Sequence, residues 1–313
     1  MNQIIISLLN GIIYGLLLFM VSAGLTLIFG MMGVLNFAHA SFYMLGAYFA
    51  YALQGVIGFW GAIVLSPILV GGVGVLVERF CLRRVHHHGH AHELLLTFGL
   101  SFIIAELIKL FFGNYPVDYR VPAALDFAAF SIGDAQYPIY RVLMGAIAIA
   151  MFIVIYFLLA RTRVGIVVRS AIYKPRMTEA LGHNVPLVFM GVFGVGAALA
   201  GLAGAVAGAF YTTNPNMAIE LGVMVFVVVV VGGLGSLGGA MLASILIGVI
   251  TSLAVSIDRS LADLLALFGA GAWAESVGGL LTLKISGLSS TLPFVLMLLV
   301  LLFRPSGLLG EKA

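Results

Sequence analysis

Apolar runs and short polar breaks alternate along the whole chain. The runs fall at approximately 4–29, 38–54, 58–77, 93–112, 138–160, 187–210, 218–234, 238–257 and 290–303. About 20 apolar residues cross a bilayer as helix. Most of the runs reach that length, whereas 38–54 and 218–234 are short enough to read as half-helices or re-entrant segments. The pattern predicts an all-α polytopic integral membrane protein with eight or nine transmembrane helices, some of them broken or short. Nine follows if 218–234 crosses fully, and eight if it does not. The first run has no basic residue before it and no clear cleavage site, so it reads as a retained span rather than a signal peptide.

Composition narrows the class. Of the 313 residues, 62% are hydrophobic and only 9% are charged, against roughly 25% charged in a soluble domain. Mean hydropathy is +1.18. A soluble surface cannot be built from this material. The single cysteine, Cys81, excludes an internal disulfide. The net charge of +3 is too small to argue for nucleic acid.

The distribution of charge says more than its sum. Arg79, Arg83 and Arg84 share one loop; Arg161, Arg163, Arg169, Lys174 and Arg176 share another; Arg304 and Lys312 follow the last span. These segments hold ten of the fifteen basic residues, which places them in the cytoplasm. Loop 113–137 sets Asp118, Asp126 and Asp134 against Arg120, which suits the outside. The N-terminus is then expected outside and the C-terminus inside. Segment 258–288 mixes Asp258, Arg259, Asp263, Trp273, Glu275 and Lys284 with apolar residues. It reads as an external amphipathic helix or as a re-entrant hairpin.

Four stretches stand out against this background. In "GMMGVLNFAHASFYMLGAY", Gly30 and Gly33 break the first helical run, and Asn36 and His39 follow. Backbone freed from helix at membrane depth must be buried in protein or line a water-filled cavity. The stretch is therefore either part of a translocation path or gate, or a polar clip or tight turn that binds no ligand. In the basic loop, Lys174-Pro175 can start a short helix that Gly182 ends. That loop is an ordinary positive-inside loop near anionic lipid or a docking element. Gly196, Ala200, Gly204 and Gly208 recur every fourth residue and form one smooth helix face for close packing. "GGLGSLGGA", 232–240, lacks the lysine of a phosphate-binding loop and reads as close packing or a gate.

Two smaller features complete the inventory. Glu106 and Lys109 share a helix face; they form an interfacial pair or a proton relay. "HHHGHAH", 86–92, is a metal-binding tract or a flexible surface loop, and no metal site is assigned to it. There is no Ser–His–acid arrangement and no nucleotide loop, so the chain is not read as an enzyme.

Taken together, "AGLTLIFGMMGVLNFAHASFYMLGAY", "LLTFGLSFIIAELIKLFFG", the loop from Arg163 through "EALGHNV" into "GAALAGLAGAVAGAFY", "VVGGLGSLGGAMLASILIGV" and "LLFRPSGLLG" resemble the permeases of bacterial branched-chain amino acid ABC importers of the LivH type. The blocks cover most of the chain in the family's order. Departures are Ala40 where glycine is usual, Lys174 and Arg176 where acids are common, His183 where isoleucine is common, and a longer segment 258–288.

The resemblance implies a single permease domain, residues 1–313, in the bacterial inner membrane, forming half of a translocation path. Loop 161–186, with Arg163, Arg169, Pro175, Glu179, Ala180, Leu181 and Gly182, would couple it to a cytoplasmic ATPase. A LivM-like second permease, two ATPase subunits and a periplasmic binding protein would complete the complex. ATP and magnesium would belong to the ATPase, leaving this chain without a cofactor. Branched-chain amino acids are the expected cargo, with urea, short amides or other small solutes as the alternative. An ion-coupled secondary transporter or channel is the rival from another class, and the scarcity of buried ionisable residues speaks against it.

Overall fold

The computed structural model describes residues 2–133, 135–257, 259–266, 269, 271–279 and 282–310. Asp134, Asp258 and Lys312, used in the charge reading, lie outside the described residues. In chain order the helices are α1 (Asn2–Met32), α2 (His39–Val77), α3 (Arg83–Val85), α4 (His90–Phe112), α5 (Ile139–Arg161), α6 (Arg163–Tyr173), α7 (Pro175–Ala180), α8 (Val185–Gly208), α9 (Met217–Gly232), α10 (Leu237–Ser256), α11 (Leu261–Ala266), α12 (Gly271–Val277) and α13 (Leu292–Phe303). Among the described residues, six helical stretches are long and apolar enough to cross a membrane: 3–32, 39–85, 90–112, 139–161, 185–208 and 237–256. α9 and α13 are apolar but shorter.

The runs at 38–54 and 58–77 fall within the single element α2, which doubles back on itself. The Ser66 hydroxyl donates to the Gly46 carbonyl at 2.6 Å. Twenty residues of straight helix would hold these groups about 30 Å apart. The non-helical residue between them is Gly58, at φ 75° and ψ 169°, a conformation only glycine adopts cheaply. α2 therefore has two arms.

Both arms pack on α8, which lies at the centre. A β-carbon at Gly204 would lie 1.9 Å from the Tyr43 carbonyl oxygen, and one at Gly46 would lie 2.1 Å from that of Gly201. On the second arm, a β-carbon at Gly74 would come within 2.5 Å of Ala197. α1 and α10 run antiparallel on the same principle, with Gly15 against Ser244 and Gly11 against Gly248 and Val249. Apolar burial does not drive helix association in lipid, so backbone-to-backbone packing of small residues carries it.

Loop 113–138 contains a two-stranded antiparallel hairpin, β1 (Ala128–Ile132) and β2 (Ala135–Pro138), which the run pattern does not predict. The Tyr119 and Tyr140 hydroxyls anchor this end to α8, donating to the Ala205 and Val206 carbonyls at 2.7 and 2.6 Å. Segment 258–288 holds the short helices α11 and α12 rather than one amphipathic helix. Its ends are pinched together by an antiparallel bridge between Ser260 and Lys284 and by the Ile285 N–H donating to the Arg259 carbonyl at 2.9 Å.

At the other end, the stretch after α13 returns to close the glycine-rich break. The Leu308 and Leu309 N–H groups donate to the Val231 and Gly232 carbonyls at 2.9 and 3.1 Å. Gly30 meets the same break at Gly235, where a β-carbon would lie 2.9 Å from Gly235 Cα.

Candidate functional site

α1 stops at Met32, and Gly33 turns the chain with φ 68°. Residues 33–36 have no regular structure, and helix resumes at His39. The break does not simply project beyond the helix end. His39 Nε2 donates to the Val21 carbonyl at 2.8 Å, and Val21 lies about 16 Å back along α1 from Met32. The unwound residues therefore run back beside the helix they left, a distance that six extended residues span easily.

Polar groups hold this returning strand. Asn36 Oδ1 accepts from the Ala38 N–H at 3.0 Å, and the Phe37 N–H donates to the Thr97 hydroxyl of α4 at 3.2 Å. Asn36 and His39 are 3% and 1% exposed. Since a carbonyl only accepts, the imidazole proton sits on Nε2, which leaves Nδ1 as an acceptor. That Nδ1 and Asn36 Nδ2 have no hydrogen-bond partner in the structure. Buried polar atoms are normally paired.

Both residues line a cavity of about 330 Å³. Its walls come from the break, the start of α2, α4 (Phe98, Ser101, Phe102) and α9 (Gly222, Val223, Phe226). The Phe37 ring stands edge-on to Phe98, centroids 6.5 Å apart, and stacks with Phe226 at 6.4 Å. The result is an apolar chamber with a few polar groups on one side, the usual make-up of a small-molecule site. Of the four sequence candidates here, Asn36 and His39 meet at the cavity. Gly30 instead packs on Gly235, and Gly33 has open space around its α-carbon. The α4 and α9 walls are absent from the sequence reading; the Ser101/Ala105 pair, one turn apart on an otherwise bulky helix, is the signal that marks one of them.

The basic loop is two helices. Thr162 caps α6, its hydroxyl accepting from the Gly165 N–H at 3.3 Å, and Arg169 donates to the Leu159 carbonyl, fastening α6 to the end of α5. Arg163 opens α6 and Pro175 opens α7. α7 closes as a Schellman motif: the Gly182 N–H donates to the Glu179 carbonyl at 2.9 Å and the His183 N–H to the Thr178 carbonyl at 3.2 Å, with Gly182 at φ 88°. Glu179 and Ala180 are exposed. So are three large apolar side chains four residues apart: Tyr173 at 72%, Met177 at 64% and Leu181 at 79%. Arg83 ties the start of α8 to the segment that follows α2, pairing with buried Glu78 at 2.7 Å and donating to the Pro186 carbonyl at 2.9 Å.

The remaining candidates separate. Gly196, Ala200, Gly204 and Gly208 lie in α8: Gly196 against Gly24 and Ile28, Gly204 against Tyr43, and Gly208 against Ala47, with Ala200 fully buried among them. Glu106 and Lys109 pair at 2.7 Å on an exposed face. In the histidine tract, buried Glu93 pairs with His86 and, at 3.2 Å, with His90. Among the described residues no three His, Cys, Asp or Glu side chains are arranged to hold a metal.

Apolar helices packed through glycine around a broken helix and an apolar cavity define a multi-pass membrane permease. The chain belongs to the family described as branched-chain amino acid transport system / permease component, whose model matches residues 7–301. It is 26% identical to the high-affinity branched-chain amino acid transport system permease protein BraD of Pseudomonas aeruginosa, over 97% of this chain and 95% of that protein. It is 27% identical to LivH of Escherichia coli, a permease protein of the same description, over 96% and 94%. The probable permease LivH of Methanocaldococcus jannaschii is 27% identical over 78% and 79%. No solved structure matches the chain.

Proposed function

We propose that this chain is one membrane subunit of a binding-protein-dependent ABC importer that carries branched-chain or related amino acids into a bacterial cell across the inner membrane. The family match over residues 7–301 carries this reading. Residues 1–313 form one permease domain that supplies half of the path, and a LivM-like permease supplies the other half. Two ATPase subunits hydrolyse ATP with magnesium, and a periplasmic binding protein delivers cargo. The exposed side chains of Tyr173, Met177 and Leu181 support ATPase docking, since apolar side chains beside a capped helix end are dressed for a protein groove rather than for water.

The test is reconstitution of the complex in liposomes. Labelled L-leucine should accumulate only with ATP and binding protein. Uptake of urea or a short amide instead would reassign the cargo. Uptake driven by an ion gradient without ATP would reassign the class.

Nine crossings follow if the two arms of α2 count separately and the short helices α9 and α13 both cross. Segment 258–288 then lies outside, and loop 161–186 lies inside. In a Cys81→Ser background, cysteines at Arg84 and Arg169 are expected to react with an impermeant maleimide only from the cytoplasmic side, and one at Asp126 only from outside. Periplasmic labelling at position 169 in intact cells overturns this topology.

The cavity is the section of path this chain contributes. Asn36 Nδ2 offers donors and His39 Nδ1 an acceptor to polar groups of a passing solute, while the phenylalanines accommodate an aliphatic side chain. Asn36→Leu and His39→Leu remove these groups and strand the partners they hold, at about 1–3 kcal/mol each. ATP-dependent uptake is expected to fall at least roughly fivefold at unchanged protein level in the membrane. Full uptake by both variants would remove Asn36 and His39 from the path.

A further inference from the structure

At the end of the molecule away from the basic loops, a second and smaller pocket of about 170 Å³ lies between the start of α1, the β1–β2 hairpin and the first turn of α5. We infer that this pocket is an entry subsite for the carboxylate of a small aliphatic amino acid, with Arg141 as the group that receives it. The inference rests on the importer reading and extends it to the outer mouth of the path.

Three observations support a ligand here. Ile6, Asn10, Ile132, Gln136, Tyr137 and Arg141 line the pocket, so apolar and polar walls meet in one space. The Arg141 guanidinium lies 5.7 Å from the centre of the Tyr137 ring and 5.0 Å from that of Phe210. It donates to Asn10 Oδ1. None of the ion pairs among the described residues includes Arg141, although a guanidinium carries five donors in a planar fork that matches a carboxylate edge. Among the described residues, this half-buried cation in an aromatic frame has no anion of its own.

The chemistry selects the ligand. A carboxylate pairs with the guanidinium through two parallel N–H···O bonds. The amide oxygen of Gln136 offers an acceptor for the ammonium group. Ile6 and Ile132 supply the apolar wall for a branched side chain. A lipid phosphate is the other source of an anion at this depth, and the experiment separates the two.

Purified wild-type permease in nanodiscs is photolysed with photo-leucine, a diazirine analogue that keeps the carboxylate, and labelled peptides are mapped by mass spectrometry. Labelling is expected on the segments around Ile6 and Ile132. L-leucine and 4-methylpentanoate, which both carry the carboxylate, should compete; L-leucinamide, which lacks it, should not. Arg141→Gln should weaken competition by L-leucine roughly tenfold or more, and Arg141→Lys should recover only part of it. Labelling confined to the cavity beside His39, or equal competition by leucinamide, overturns the inference in the wild-type protein alone, even if a variant fails to fold. A phospholipid that native mass spectrometry finds on wild type and not on Arg141→Gln, with no photo-leucine at the site, assigns the pocket to lipid and also overturns it. Failure of the importer reading is a different result: the pocket takes photo-leucine, but the reconstituted complex moves no branched-chain amino acid with ATP.

Discussion

Gly204→Ala permease is expected to lose its folded core while Gly72→Ala permease keeps it. The methyl group added at position 204 would sit 1.9 Å from the Tyr43 carbonyl oxygen and 2.9 Å from the Ala47 nitrogen. Neither neighbour is a side chain that can rotate away. The two helices must separate, which opens the packing of α8 against both arms of α2. Overpacking a tight core costs typically about 1–3 kcal/mol and more when backbone must move; this site should lie at or above the top of that range. Gly72 is the control, since it has no atom within 4 Å of where its β-carbon would stand. Alanine there should be neutral or stabilise α2 by up to about 1 kcal/mol. Thermal unfolding in detergent, followed by size-exclusion chromatography, reads both. Equal melting temperatures for the two variants would mean that the α2–α8 contact does not hold the bundle together.

The second large effect concerns the basic loop. Gly182→Val places a β-branched residue at φ 88°, where such side chains are genuine outliers. It should unwind the end of α7 and displace Leu181. Ala180→Trp leaves the backbone alone and adds bulk to an exposed position, so it tests the docking surface itself. Both changes lie between α5 and α8, so insertion and melting temperature should stay at wild-type values. The expected result is a permease that recovers little ATPase on pull-down and has lost nearly all ATP-dependent uptake. If both variants retain the ATPase and transport normally, α6 and α7 are a positive-inside loop and no more.

Much of this was legible from the order of residues, and the omissions share a cause. The helix break announces itself because glycine, asparagine and histidine contrast with an apolar surround. The end of α7 is readable because proline and glycine have fixed positional meanings. The walls contributed by α4 and α9 are not readable, since lipid and protein interior are equally apolar. Phe98 beside the cavity and buried Ile104 six residues later look alike in composition. α6 is concealed by its arginines, which say nothing of helix; the Thr162 cap, the Arg169 bond to the Leu159 carbonyl and burial of Val168 and Ala171 hold it. The β1–β2 hairpin is too short to outweigh the neighbouring helical runs, and nothing in the sequence singles out Arg141, since only the fold brings Tyr137 and Phe210 around it.

The closure of α9 bears on how the protein is made. Two of the carbonyls at the end of α9, those of Val231 and Gly232, are satisfied by the N–H groups of Leu308 and Leu309, which leave the ribosome only after α10 to α13. Until then α9 reaches the translocon as a helix of 16 residues with an unsealed end. It has every reason to wait beside its neighbours rather than commit to the lipid. The native bundle is therefore a late event in biogenesis, timed by the synthesis of a segment that contributes nothing to the cavity. A nascent chain cut short before Leu308 would carry all the walls of the cavity and still lack the clasp that fixes one of them in place.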